Sequence, residues 1–436
     1  MKKKDLPIVV IGAGPVGLAA AAHLNKRKLP FIILELGNRV ANNVESWKHV
    51  SMFSPWKYNL DAAAVEILNR HGWTKPRLNK IPNGQELLED YILPLSETDE
   101  IEPQIRLNSK VISISRRRIN KMKNFGRDNA PFVIHIEKFG VEEIIYAKAI
   151  IDASGTWKRP NPIGADGLPA IGEVEHKKNI YYGIPDILGK DRDMYKEKNV
   201  AVIGGGHSAI NSLLELADLK NEFPSTNLIW IMRKSKIEDA YGGLDADELP
   251  GRGLVGQRVK ELVESGRIEV NTPFFVDKIS SINDELVIEG KSTKGQKIIK
   301  CDKIIAATGL RPDLFMLNEL RISIDNAVES PTNLAPLIDP NIHSCGSVEP
   351  HGEAELRHPE KDFYIVGMKS YGRAPTFLLA TGYEQVRSVV AALDGDWEAA
   401  KEVHLSLPET GVCGVPAAVD PNNMEFEGYS ESACCG

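Results

Sequence analysis

A strand, glycine loop and helix pattern occurs twice in this 436-residue chain, and nothing else in the sequence restricts the fold as much. The first copy follows the apolar stretch 8–11 and reads Gly12-Ala13-Gly14-Pro15-Val16-Gly17. The second follows 200–203 and reads Gly204-Gly205-Gly206-His207-Ser208-Ala209. In such a loop the first glycine permits a tight turn and the second lets backbone approach a pyrophosphate. The third lets the helix pack close to the strand. The helix N-terminus then offers unpaired N–H groups and partial positive charge to the phosphates. The residues closing the next strand separate the two copies. Stretch 31–34 ends in Glu35, 21 residues beyond Gly14, a carboxylate spaced for an adenosine ribose. Stretch 228–232 ends in Arg233 and Lys234, cations placed for a 2′-phosphate. The residues thus point to FAD on the first loop and NADPH on the second, with Ala209 a small-residue exchange for the third glycine.

A chain of this length suits two or three domains with a large core. Its 42% hydrophobic and 26% charged residues are ordinary for a globular protein. A net charge of −7 argues against general binding to nucleic acid or an anionic membrane. The basic run 116–118 reads as a solvated strand end. Met1-Lys2-Lys3-Lys4 before an apolar stretch imitates a secretory signal, yet the first strand and helix account for those apolar residues. Leu407-Pro408-Glu409-Thr410-Gly411 spells a cell-wall sorting signal without the long apolar run such anchoring needs. The expectation is a cytoplasmic protein with no membrane partner.

The fold expected is α/β, with two Rossmann-like domains, the second inserted into the first. Residues 1–160 form the first segment of the FAD-binding domain and 161–325 the NADPH-binding domain. Residues 326–404 return to the FAD-binding domain, through a strand at 363–367 and a helical run at 376–393. Residues 405–436 form a Cys-containing tail, read as mobile from its Pro, Gly, Asn and Glu content. Stretch 147–152 reads as one buried strand ending in Ala153-Ser154-Gly155, and 303–307 as its counterpart ending in Thr308-Gly309.

These motifs together resemble the two-dinucleotide-binding-domain flavoproteins over about residues 5–395. Within that group the chain is similar to the class B flavin monooxygenases, because no C-x-x-C or C-x₄-C pair follows the first loop. The identifying stretch of flavin-containing monooxygenases is degenerate here: Gly172 and His176 are kept, Ala170 stands for a phenylalanine, and Tyr181 arrives one place late. The whole chain is similar to flavoprotein monooxygenases of bacterial arsenic-resistance operons. That resemblance implies NADPH reduction of FAD, formation of a C4a-peroxyflavin with O₂, and oxygenation of a soft substrate, with no side-chain nucleophile required.

Cofactor contacts are expected from Gly12, Gly14, Pro15, Val16, Gly17, Glu35, Trp47, Val111, Ser154, Gly155, Gly367 and Thr376. In the second loop they are expected from Gly204, Gly206, His207, Ser208, Ala209, Arg233, Lys234, Thr308 and Gly309. Trp47, Met52, Ser54, Trp56 and Arg373 are candidates for the flavin side, ordinary core packing being the competing reading of the aromatic stretch. Gly367 and the Arg373–Thr376 turn are candidates for backbone N–H donors to the flavin ring. His343, Cys345, His351 and His358 match no common zinc spacing and read as packing or pocket residues. Cys413, Cys434 and Cys435 are soft ligands, and their pattern suggests capture of As(III). Two other functions stay open: a reductase passing electrons to a thiol-bound metal or disulfide, and a flavin-bearing metalloid sensor.

Overall fold

The computed structural model describes residues 2–242, 244, 250–342, 351–374 and 377–405. They divide into two compact units, one from 2–159, 311–342 and 351–405, the other from 160–310. Residues 311–325 therefore belong with the first unit, not with the second as a boundary at 325 supposes.

The first unit opens with β1 (Ile8–Ile11), α1 (Pro15–Lys26) and β2 (Phe31–Leu34). It continues through β3 (Ile105–Arg106), then β4 (Lys110–Arg116), β5 (Phe132–Lys138) and β6 (Val141–Ala147), and β7 (Ala149–Asp152). The second unit holds β8 (Ile180–Tyr182), β9 (Asn199–Ile203), α2 (His207–Glu222), β10 (Asn227–Ile231), α3 (Pro250–Glu264) and β11 (Ile268–Asn271). It closes with β12 (Phe274–Ile282), β13 (Glu285–Ser292), β14 (Gly295–Cys301) and β15 (Lys303–Ala306). The chain then returns to the first unit with β16 (Phe363–Ile365) and α4 (Leu379–Leu393).

Each unit carries one five-stranded parallel sheet, ordered β16-β7-β1-β2-β3 and β11-β10-β9-β15-β8. Each also carries a three-stranded antiparallel sheet, β4-β5-β6 and β12-β13-β14. Parallel strands covered on both faces read as unbroken apolar runs, as Ile8-Val9-Val10-Ile11 does. Side chains alternate across the sheet. Ile8 and Val10 enter the core built with α1 and α4, while Val9 and Ile11 enter the core built with β4, β5 and β6. Val200 and Val202 face α2 in the same way, and Ala201 and Ile203 face β12, β13 and β14.

Stretch 147–152 is not one strand. Ala147 ends the antiparallel β6, and β7 starts at Ala149 in the parallel sheet, so the chain changes sheets at Lys148. The second correction concerns charge. Arg116 is 1% exposed, and its Nε donates to Glu360 Oε1 at 2.7 Å while Arg127 Nη2 donates to Glu360 Oε2 at 2.6 Å. The Arg116 guanidinium also lies 3.6 Å from the Phe132 ring centre. The two guanidinium groups and the Arg321 amide, at 2.9 Å, hold the Glu360 carboxyl below its usual range despite burial. Replacing Glu360 with Ala would strand two buried cations, and we expect a loss of about 3–5 kcal/mol. Urea unfolding should show a clearly lower midpoint; an unchanged midpoint would mean that the triad contributes nothing.

Candidate cofactor sites

In the first unit a cleft opens at the carboxyl ends of β1, β2 and β7. Its lining includes Gly12, Gly14, Pro15, Val16, Glu35, Ser154, Gly155 and Gly367, so residues far apart in the chain meet there. Gly12 has φ +100°, and a Cβ on it would stand 2.7 Å from Ala153 O. A Cβ on Gly17 would stand 1.9 Å from Gly12 O. Gly14 and Gly155 differ: a Cβ on either would meet no atom within 4 Å, so both face open space. Helix α1 begins at Pro15 with no side chain capping it. An uncapped N-terminus beside glycines facing a cleft suits a diphosphate.

Glu35 Oε2 accepts from the Ala13 amide at 2.8 Å and Oε1 from the Gly37 amide at 2.7 Å. Each carboxylate oxygen has a further lone pair, so the group is oriented but not saturated. Ser154 Oγ donates to Asp152 Oδ1 at 2.6 Å and accepts from Lys369 Nζ at 3.0 Å, while Lys369 and Asp152 pair at 2.7 Å with both side chains buried. Sequence reasoning missed this pair. Its only signal was a carboxylate ending an apolar strand.

Several expected donors are committed elsewhere. The Gly367 amide donates to Gln385 Oε1 at 2.7 Å and the Arg373 amide to Val328 O at 2.7 Å, so neither supplies an N–H to a flavin ring. Trp56 is 1% exposed within the core, and Ser54 Oγ donates to Asn59 Oδ1 at 2.9 Å. Trp47 and Met52 are part-buried against the same core, with the Trp47 ring 6.4 Å from that of Trp157. None of these four residues is among those lining the cleft. Val111 sits in β4, half-buried opposite Ile136. Its neighbour Ser109 donates its amide to Glu35 O at 2.8 Å. His351 and His358 are buried, and burial pushes the His358 imidazole down to about 4. Among the described residues no group of His, Cys, Asp and Glu is arranged to hold a metal. Thr376, His343, Cys345, Cys413, Cys434 and Cys435 lie outside the described residues.

The second unit repeats the loop. A Cβ on Gly204, at φ +140°, would stand 2.2 Å from Ala307 O, as Gly12 does against Ala153. Gly206 faces open space and precedes an uncapped α2, which begins at His207. Ser208 O accepts from Ser212 Oγ at 3.1 Å, and Ala209 is fully buried. The Lys234 stem lies against the loop, its Cε 3.1 Å from a Cβ on Gly205, and its Nζ donates to Asp239 O. Arg233 is exposed and donates to Ala165 O at 3.0 Å. Thr308 and Gly309 follow β15 beside the loop, Gly309 with φ +85°. In the degenerate stretch, Gly172 has φ +80° and a Cβ on it would stand 2.1 Å from Ile279 O, so packing alone requires that glycine.

These contacts separate two kinds of glycine. Gly14→Val adds bulk only to open space, and we expect a protein with unchanged circular dichroism and thermal midpoint that purifies without bound flavin. A Gly14→Val protein retaining full yellow colour would show that the cleft does not hold the cofactor.

A family model described as pyridine nucleotide-disulphide oxidoreductase matches residues 9–345. The chain is 26% identical over 238 residues to a ferredoxin–NADP reductase of Lactobacillus acidophilus, covering 54% of this chain and 62% of that enzyme. It is similar in fold to a bacillithiol disulfide reductase of Bacillus cereus (TM-score 0.66, 19% identity, 89% of this chain and 99% of that one). The same holds for the FAD-bound cadaverine monooxygenase of desferrioxamine biosynthesis from Erwinia amylovora (TM-score 0.63, 12% identity, 93% and 99%). The family model spans most of the chain, and the chain belongs to the pyridine nucleotide-disulphide oxidoreductase family as an FAD- and NADPH-dependent flavoprotein oxidoreductase.

Proposed function

We propose that this flavoprotein is a monooxygenase: NADPH, O₂ and a proton are consumed, one oxygen atom passes to a soft substrate, and the other leaves as water. The observation that carries the reading is in the sequence: no C-x-x-C or C-x₄-C redox pair follows the first loop. Among the described residues the one cysteine is Cys301, which is fully buried in the second unit with its thiol pushed up to about 12 by burial. A disulfide-exchanging reductase needs an accessible thiolate, and the first unit offers none among its described residues. FAD, when bound, supplies the redox chemistry.

The chain's own residues bind and orient. Gly12, Gly14 and the start of α1 would hold the FAD diphosphate, with Glu35 at its ribose and Ser154, Gly155 and Gly367 along the rest of the cleft. The loop from Gly204, with Arg233 and Lys234, would hold NADPH. The substrate class we favour is a trivalent arsenical, on the strength of the soft thiols Cys413, Cys434 and Cys435 in the sequence. The ferredoxin–NADP reductase relative supports a second reading, in which electrons pass to an external carrier.

Anaerobic reduction by NADPH, then mixing with O₂ with and without a trivalent arsenical, separates these readings. We expect oxygenated product approaching one per NADPH, little hydrogen peroxide, and faster NADPH use with the arsenical. Rapid reduction of an added electron carrier with no oxygenated product would reject the monooxygenase. Arg233→Ala with Lys234→Ala should raise KM for NADPH by about 10–100-fold while leaving that for NADH nearly unchanged. An equal effect on both dinucleotides would remove these residues from 2′-phosphate recognition.

A further inference from the structure

Two basic stretches that the cofactor sites leave unused meet on one face of the first unit. Lys2, Lys3 and Lys4 lead into β1, while Arg118, Lys121 and Lys123 lie in the loop joining β4 to β5. Lys3 brings the two together: its Nζ donates to Asp128 O in that loop at 2.6 Å and to Asp362 Oδ2 at 2.7 Å. Among the described residues, Lys3 is the only one of these cations that forms an ion pair. The other five are exposed, and Asp5 and Asp128 are the only acids the two stretches contain. The net charge of −7 averages over the whole chain and conceals this local excess of positive charge.

The same loop presents hydrocarbon to water. Phe125 is 98% exposed and Met122 89%. Hydrogen bonds shape the backbone that carries them. Asn120 O accepts from the Lys123 amide at 3.2 Å and from Arg127 Nη1 at 3.0 Å, and Gly126 O accepts from the Ala130 amide at 3.1 Å. Arg127 is buried and tied to Glu360, and Arg321 Nε donates to Lys121 O at 2.8 Å. Single exposed apolar residues are ordinary; here two of them stand on an anchored loop among cations. A bilayer with anionic headgroups complements both properties in one layered surface, with hydrocarbon at depth and negative charge above it. A nucleic acid would match the cations but has no hydrocarbon layer to take Met122 and Phe125.

We infer that this face is a docking surface for anionic membranes: the cations meet the headgroups, and Phe125 and Met122 enter the boundary beneath them. The contact is peripheral. At this one face it replaces the expectation of no membrane partner drawn from the net charge. It depends neither on the assignment of the two cofactor sites nor on the reaction.

The test is co-sedimentation of the full-length holoprotein with vesicles of phosphatidylcholine, alone or mixed with phosphatidylglycerol, at low and high salt. We expect binding to the mixed vesicles only, weakening as salt rises. Phe125→Ser should weaken it about tenfold, and Lys2→Gln, Lys4→Gln or Lys123→Gln about fivefold each. Phe125→Trp should add emission that moves to shorter wavelength on mixed vesicles. Because these side chains are exposed, circular dichroism and NADPH oxidation without vesicles should match wild type. Wild-type protein that ignores the mixed vesicles overturns the inference. So does binding that Phe125→Ser leaves unchanged, which would mark attraction by charge alone. Retention of duplex DNA in place of vesicles, lost in the same lysine variants, would assign the face to nucleic acid and equally overturn it.

Discussion

Both dinucleotide loops depend on one close approach, a glycine Cα passing over the carbonyl oxygen that ends the neighbouring strand. Gly12 passes over Ala153 O, and Gly204 over Ala307 O. A Cβ at either position would fall within 3 Å of that oxygen, and both residues have positive φ. Only glycine meets both conditions without strain. The approach brings each loop onto the adjacent parallel strand and leaves the glycine two residues on, Gly14 or Gly206, facing open space. The open space and the packed space are made by the same turn.

The two units use that turn with different electrostatics. In the first, the carboxylate Glu35 is pinned by two backbone amides, and a buried ion pair, Asp152 with Lys369, underlies Ser154 at the cleft. Removing either partner of such a pair would leave an uncompensated buried charge, so the pair holds its own geometry. In the second, the positions after β10 carry two cations, and Lys234 lies along the glycine loop itself. The contrast supports distinct ligands on a repeated scaffold.

Long-range ties complete the first unit from chain segments far apart. Glu360 joins Arg116 and Arg127 across more than 230 residues of sequence, and Gln385 receives the Gly367 amide from the next stretch of chain. Residues after the second unit therefore furnish both wall and support for a cleft whose loop lies at the N-terminus.

What the sequence determined by itself was the pair of loops, the parallel α/β architecture and the sign of charge after each second strand. These are local: a glycine spacing, a run of apolar residues, an acid or a base at a fixed distance. Tertiary structure alone decided which amides remain available. Gly367 and Arg373 looked like donors, yet their N–H groups are taken by Gln385 and Val328. It also decided burial, placing Trp56 and Arg116 inside where an aromatic stretch and a basic run had suggested a pocket wall and a solvated end. Hydrogen-bond capacity and burial depend on partners distant in the chain, and a local pattern holds no record of them.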